Sequence, residues 1–228
     1  MTHTDVAHPS AAWQRSTPGE TRWTVTTVVV VTLGLQLLLP RELVLWPGWL
    51  LPALSGLLVL VLMAMNPGRL DRRNSAERLV SLALVAAISV VNGASAVELV
   101  TGIVTGAIRS SPVSVLTSAA IVYWTNIVVF SLWYWEFDRG GPALRANGDS
   151  QYADFMFPQM DEPRLAPPEW EPRYFDYLYL SFTNATAFSP TDVMPLKVWA
   201  KLTMMAQAAI SLVIALLVVA WSVNALKG

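Results

Sequence analysis

Residues 173–225 read RYFDYLYLSFTNATAFSPTDVMPLKVWAKLTMMAQAAISLVIALLVVAWSVNA, and the fold turns on how this stretch is divided. Tyr174 to Phe188 is aromatic and apolar over 15 residues. As a helix it is about 22 Å long, short of the roughly 30 Å of a bilayer's hydrocarbon core. Ser189 to Pro195, SPTDVMP, is a polar turn with two prolines. Trp199 to Val223 is a long, mostly apolar run able to cross. A short helix, a turn and a long helix predict a chain that enters a membrane, returns on the same side, and then spans it.

Composition carries that reading to the whole chain. Of 228 residues, 54% are hydrophobic and 14% charged, far more apolar than a soluble domain, and the apolar residues come in unbroken blocks. The expected class is an all-α integral membrane protein with the lipid bilayer as its main partner. A net charge of −1 argues against a nucleic-acid partner. With no cysteine, disulfides, thiolate metal sites and cysteine nucleophiles are excluded. The only histidines, His3 and His8, stand in the polar N-terminal tail. No metal site, cofactor or catalytic residue is expected, and neither an HExxH motif nor a Ser/Lys pair at membrane depth points to an enzyme.

Residues 1–22 read as a disordered polar tail. Residues 23–136 hold four spans, Trp23–Leu39, Leu43–Met65, Leu79–Ile108 and Val113–Trp135. Within them Asn92, Gly93, Ser95, Ala96 and the Gly102/Gly106 pair suit close helix packing. Glu98 lies near the far end of the third span, as either a functional or a solvated carboxylate. Asn126 is expected to hydrogen-bond a neighbouring helix, and Trp133-Tyr134-Trp135 to form an interfacial belt. Residues 137–172 form a Pro-rich acidic aqueous loop. Its Tyr152, Phe155, Phe157 and Trp170 predict a cap beside the mouth of the hairpin, with a mobile linker as the alternative. Residues 173–228 supply the short re-entrant helix and the last span, five transmembrane helices in all. On that topology twelve of the fifteen Lys and Arg residues share the N-terminal side. The N-terminus, the long loop and the hairpin mouth are therefore expected in the cytoplasm of a bacterial inner, or other cell, membrane.

The hairpin resembles the pore module of the potassium-channel-type, or pore-loop, ion channels. Tyr174–Thr186 is similar to the pore helix, Asp192-Val-Met-Pro195 to the Asp-x-x-Pro that follows the filter, and Trp199–Val223 to the inner helix. At the filter the family's Thr-Val-Gly-Tyr-Gly is replaced by Ala187-Phe188-Ser189-Pro190-Thr191. Without glycine a ring of potassium-directed carbonyls is not expected. The chain as a whole also resembles an uncharacterised bacterial family of multi-pass membrane proteins with a domain of unknown function.

The pore resemblance implies a homo-oligomer, a tetramer in that family, conducting inorganic cations. Its constriction would be built from Thr183, Asn184, Thr186, Ser189, Pro190, Thr191 and Asp192. Asp192 has an equally plain reading as a turn or capping residue. Thr203, Gln207, Ser211 and Ala215 share a face of the last helix. A pore-lining stripe and a packing seam both have that pattern. The alternative function is a non-conducting scaffold or accessory protein whose re-entrant segment is a packing element.

Overall fold

Polar caps and glycines set where the long helices begin and end. The computed structural model describes residues 12–40, 50–65, 68–70, 74–107, 111–148, 152–162, 164, 166–186 and 192–225. Its helices are α1 (Arg22–Gln36), α2 (Leu50–Met65), α3 (Ser75–Thr105), α4 (Pro112–Phe137), α5 (Pro142–Ala146), α6 (Pro158–Asp161), α7 (Tyr174–Thr186) and α8 (Val198–Ala225). Two short strands, β1 (Phe155–Met156) and β2 (Met194–Pro195), pair antiparallel. Asn74 opens α3 by accepting from the Ala76 and Glu77 N–H groups, and Gly106, at φ 68°, closes it. Ser111 opens α4 by accepting from the Ser114 N–H, with Pro112 in the first turn. Gly106 is thus a helix terminator, not half of a packing pair. Past Asp138 the chain turns through Gly141 at φ 101°, where a Cβ would sit 3.0 Å from the Glu136 carbonyl oxygen. Only glycine meets both conditions.

The chain is mostly helical, and among the described residues three helices are long and apolar enough to span a membrane: 75–105, 112–140 and 198–222. Helices α1 and α2 are shorter, at 15 and 16 residues. That makes them about 22 and 24 Å long.

Helix α4 is the axis of the packing and touches α1, α3, α7 and α8, while α2 lies on α3. Contacts along α4 fix the directions of the last two helices. Tyr177 meets Asp138, Ser181 meets Ile127, and Ala185 meets Tyr123. Helix α7 therefore runs antiparallel to α4. Helix α8 does the same, with Trp199 against Phe137 and Ser211 against Asn126. So α7 and α8 run parallel, both starting at the end of the bundle where α4 stops. By Ala185 the first has passed Tyr123, about 21 Å down an α4 of 26 residues, or about 39 Å. Strand β2 then lies back at the starting end, paired with β1 beside the Asp138 corner.

Two differences from the sequence reading have clear physical causes. Residues 12–22, expected to be disordered with the rest of the tail, are tied down. Thr17 N–H donates to the Ala146 carbonyl at 2.8 Å, Leu70 N–H to the Glu20 carbonyl at 3.0 Å, and Arg22 N–H to the Gly68 carbonyl at 3.2 Å. With its backbone groups paired, a polar segment has reason to stay folded. Tyr134 and Trp135, expected in an exposed belt, are 0% and 3% exposed. The cap covers the end of α4 and takes those rings out of any interface.

Candidate functional site

The site is the seam where α7 and α8 meet α4. Helix α7 forms there because its first turn is held from three directions. Arg173 N–H donates to Asp176 Oδ2 at 2.7 Å, the reciprocal half of a capping box. Glu20, reaching in from the N-terminal segment, accepts from the Tyr174 N–H at 3.1 Å and from Trp135 Nε1 at 3.0 Å. The Tyr174 hydroxyl meets Ser131 Oγ at 2.9 Å. Burial pushes the Glu20 carboxyl above its ordinary value, opposed by Arg145, the Trp135 and Tyr174 hydrogen bonds, and Arg173.

At the middle of the seam Gln207 of α8 uses both ends of its amide. Its Oε1 accepts from the Tyr134 hydroxyl at 2.6 Å and from Asn184 Nδ2 at 2.8 Å. Its Nε2 donates to the Ser181 carbonyl at 2.9 Å and to Ser181 Oγ at 2.6 Å. Ser181 Oγ in turn donates to the Ile127 carbonyl at 2.6 Å. One turn away the Tyr123 hydroxyl donates to the Ala185 carbonyl at 2.6 Å, and Asn126 Nδ2 to Ser211 Oγ at 3.0 Å. Gln207, Ser181, Ser211 and Asn126 are all buried. The result is a polar zipper of α4, α7 and α8 inside one chain.

The sequence-derived candidates separate accordingly. Gln207, Ser211 and Asn184 come together in the zipper, where Asn184 also donates to the Met204 carbonyl at 3.0 Å. Thr183 and Thr186 turn their hydroxyls back onto their own helix, at the Tyr179 and Phe182 carbonyls. Thr203 does likewise at the Trp199 carbonyl, 2.8 Å away. Ala215 is half-buried further along α8, and Asp192 is exposed ahead of β2. Ser189, Pro190 and Thr191 lie outside the described residues. Glu98 is exposed on α3. The outward faces of the hairpin are apolar: Phe175, Tyr179 and Phe182 on α7, and Leu202, Met205, Leu216 and Val219 on α8.

Sequence reasoning missed Ser181 and Tyr134 as zipper members. A signal was present in α4, where Tyr123, Asn126, Ser131 and Tyr134 fall three to five residues apart along one side. The cap was missed in detail. Asp138, fully buried, accepts from the Tyr177 hydroxyl at 2.5 Å and from the Asp154 N–H at 3.0 Å. Arg145 donates to the Trp135 and Asp138 carbonyls and lies 5.0 Å over the Tyr177 ring. Phe155 inserts between Tyr134 and Trp199, with ring centroids 5.2 and 5.5 Å away. Lys197, at the start of α8, ion-pairs with Asp154 at 2.6 Å. The cap therefore clamps the root of the hairpin.

Among the described residues no group of three or more His, Cys, Asp or Glu side chains is placed to hold a metal ion. Together the fold and the seam define a helical protein with three helices able to span a membrane and an internally zipped helical hairpin. Comparison with protein-family models, curated proteins and solved structures finds no match to this chain.

Proposed function

We propose that this chain is an integral membrane protein with five transmembrane helices and a half-inserted α7, and that it acts as a non-conducting scaffold or accessory subunit. The α7–α8 hairpin is then a packing element that fixes the outward surface offered to lipid or to another membrane protein. The observation that carries the reading is Gln207, whose amide is spent on Tyr134, Asn184 and Ser181 within the chain. An aqueous conduit needs polar groups turned toward its axis. Here the polar groups turn inward and the outward faces of α7 and α8 are apolar. The count of five spans rests on α1 and α2 crossing as short helices, which a bilayer accommodates by local thinning. The Lys and Arg distribution supports a cytoplasmic N-terminus and cap in a bacterial inner membrane.

A second reading is the pore-loop conduit, a homo-tetramer passing inorganic cations along Thr183, Asn184, Thr186 and residues 189–192. What favours it is the parallel course of α7 and α8 and the C-terminal end of α7 halfway down α4, since a helix C-terminus attracts cations. Flux and mass measurements on reconstituted protein separate the two. The scaffold reading expects no cation flux above that of empty vesicles, whatever the oligomeric state by native mass spectrometry. A tetramer whose flux is lost in Asp192→Asn overturns it in favour of the conduit.

A further inference from the structure

A cavity of about 310 Å³ opens between the starts of α1 and α3, the end of α4 and the Gly141 corner. Its wall carries both signs of charge. Arg22, Glu77 and Glu136 are 6%, 8% and 3% exposed, and Arg78 stands exposed at the rim. Arg22 ion-pairs with Glu77, and the Ser81 hydroxyl donates to Glu136. The floor is apolar, with Val29, Val85 and Leu132 among its side chains. From Arg22 to Val29 the cavity follows α1 for about 10 Å.

Two features point to a ligand. First, Arg22 Nε–H has no hydrogen-bond acceptor among the described residues although the side chain is buried. A buried charged donor left unmatched is costly, and this one borders open space that a bound acceptor could fill. Second, the polar wall is charge-balanced, two arginines against two glutamates, above an apolar floor. A simple anion would meet Glu77 and Glu136, and a simple cation would meet Arg22 and Arg78. A head bearing both charges satisfies both sets. A quaternary ammonium has no proton to give Glu136, and Trp135 alone does not make an aromatic cage.

We propose that this cavity binds a zwitterionic amphiphile: an anionic group against Arg22 and Arg78, a primary ammonium against Glu136, and an apolar tail along α1. That is the chemistry of an ethanolamine-type phospholipid. The inference rests on the chain being a membrane protein, and its readout is independent of ion flux, so its failure is distinct from that of the scaffold reading.

The test is thermal unfolding of the full chain in detergent with dihexanoyl phosphatidylethanolamine, phosphatidylcholine or phosphatidylglycerol, or with free phosphoethanolamine. At ten times its Kd the ethanolamine lipid is expected to raise Tm by about 4 °C. The other probes are expected to raise it by less than a quarter of that. Arg78→Ala, at the exposed rim and so expected to fold, should weaken the apparent Kd about tenfold, consistent with loss of one charge-assisted contact. Glu136→Gln should abolish the preference for ethanolamine over choline. Equal shifts with choline or glycerol lipids, a full shift with the free headgroup, or no effect of Arg78→Ala each overturn the assignment.

Discussion

Gln207 on α8 accepts the Tyr134 hydroxyl of α4 at 2.6 Å, with both side chains fully buried. The same oxygen takes Asn184, so one amide joins three helices. Gln207→Leu keeps the volume and strands the Tyr134 hydroxyl, while the Asn184 amide keeps the Met204 carbonyl and Ser181 Oγ keeps the Ile127 carbonyl. An unmatched buried polar group costs about 1–3 kcal/mol. Hydrogen bonds between helices in a membrane average only about 0.6 kcal/mol. Gln207→Leu is therefore expected to lose about 2 kcal/mol in reversible unfolding in mixed micelles, and Tyr134→Phe under about 1 kcal/mol. The double mutant should give a coupling of about 0.6–1.7 kcal/mol. Strict additivity would mean that the two side chains do not meet.

Asp154 and Lys197 are unequal partners in the clamp. The lysine side chain is 51% exposed and the aspartate 4%. The ion pair alone is screened and worth about 0–1 kcal/mol. Asp154 Oδ2 also accepts the Arg139 N–H at 3.1 Å and so fixes the left-handed residue that ends α4. Lys197→Ala should cost under about 1 kcal/mol. Asp154→Ala should cost about 1–3 kcal/mol, since it leaves a buried N–H unmatched. Hydrogen exchange at Leu196, whose N–H donates to the Asp154 carbonyl at 2.8 Å, reports the difference. Exchange should quicken strongly in Asp154→Ala and barely in Lys197→Ala; the reverse order would place the strength of the clamp in the ion pair.

Glu20 gives stability a pH dependence with a definite sign. Its carboxyl is raised by burial above 4.5, so the folded chain holds the proton more tightly than the unfolded chain does. The associated stabilisation is complete below the unfolded value and declines as pH climbs through the raised one, at up to about 1.4 kcal/mol per pH unit. Glu20→Gln keeps an oxygen for the Tyr174 N–H and removes the titration. Unfolding from pH 4.5 upward should show the variant gaining on the natural chain as pH rises. Parallel curves would assign the pH dependence to other groups.

The sequence shows helices more readily than their contacts. The apolar runs and the Ser-Ser-Pro break at 110–112 locate α3, α4 and α8 to within a few residues, because for helices this long and apolar length and hydropathy nearly suffice. Gln207 and Ser211 share a face by periodicity alone. What that face meets depends on Tyr134 and Asn126, which lie 73 and 85 positions away. A polar stripe facing water and one facing a neighbouring helix are identical in sequence. The order of residues 12–22 was hidden for the same reason: Glu20 acquires its role only when α7 brings Tyr174 to it, 154 positions later. Tyr134 and Trp135 have the composition of a belt, and only the cap, built from residues beyond them, makes them core.

Orientation is open to a direct test because the chain has no cysteine. Val113 and Tyr152, 72% and 76% exposed, lie beyond opposite ends of most of α4, and neither is in the zipper. With α4 crossing the bilayer and the cap in the cytoplasm, Val113→Cys should react with a charged, impermeant maleimide in intact cells. Tyr152→Cys should react only after permeabilisation. Phe182→Cys, on the outward face of α7 and halfway down α4, should stay unreactive from either side because lipid excludes the reagent. Labelling of Val113→Cys and Tyr152→Cys from one side would mean that α4 does not cross. A swapped pattern would keep the crossing and invert the protein, setting the mouth of the hairpin outside against the Lys and Arg distribution. Ready labelling of Phe182→Cys would place water beside α7, which the scaffold reading forbids and a conduit requires.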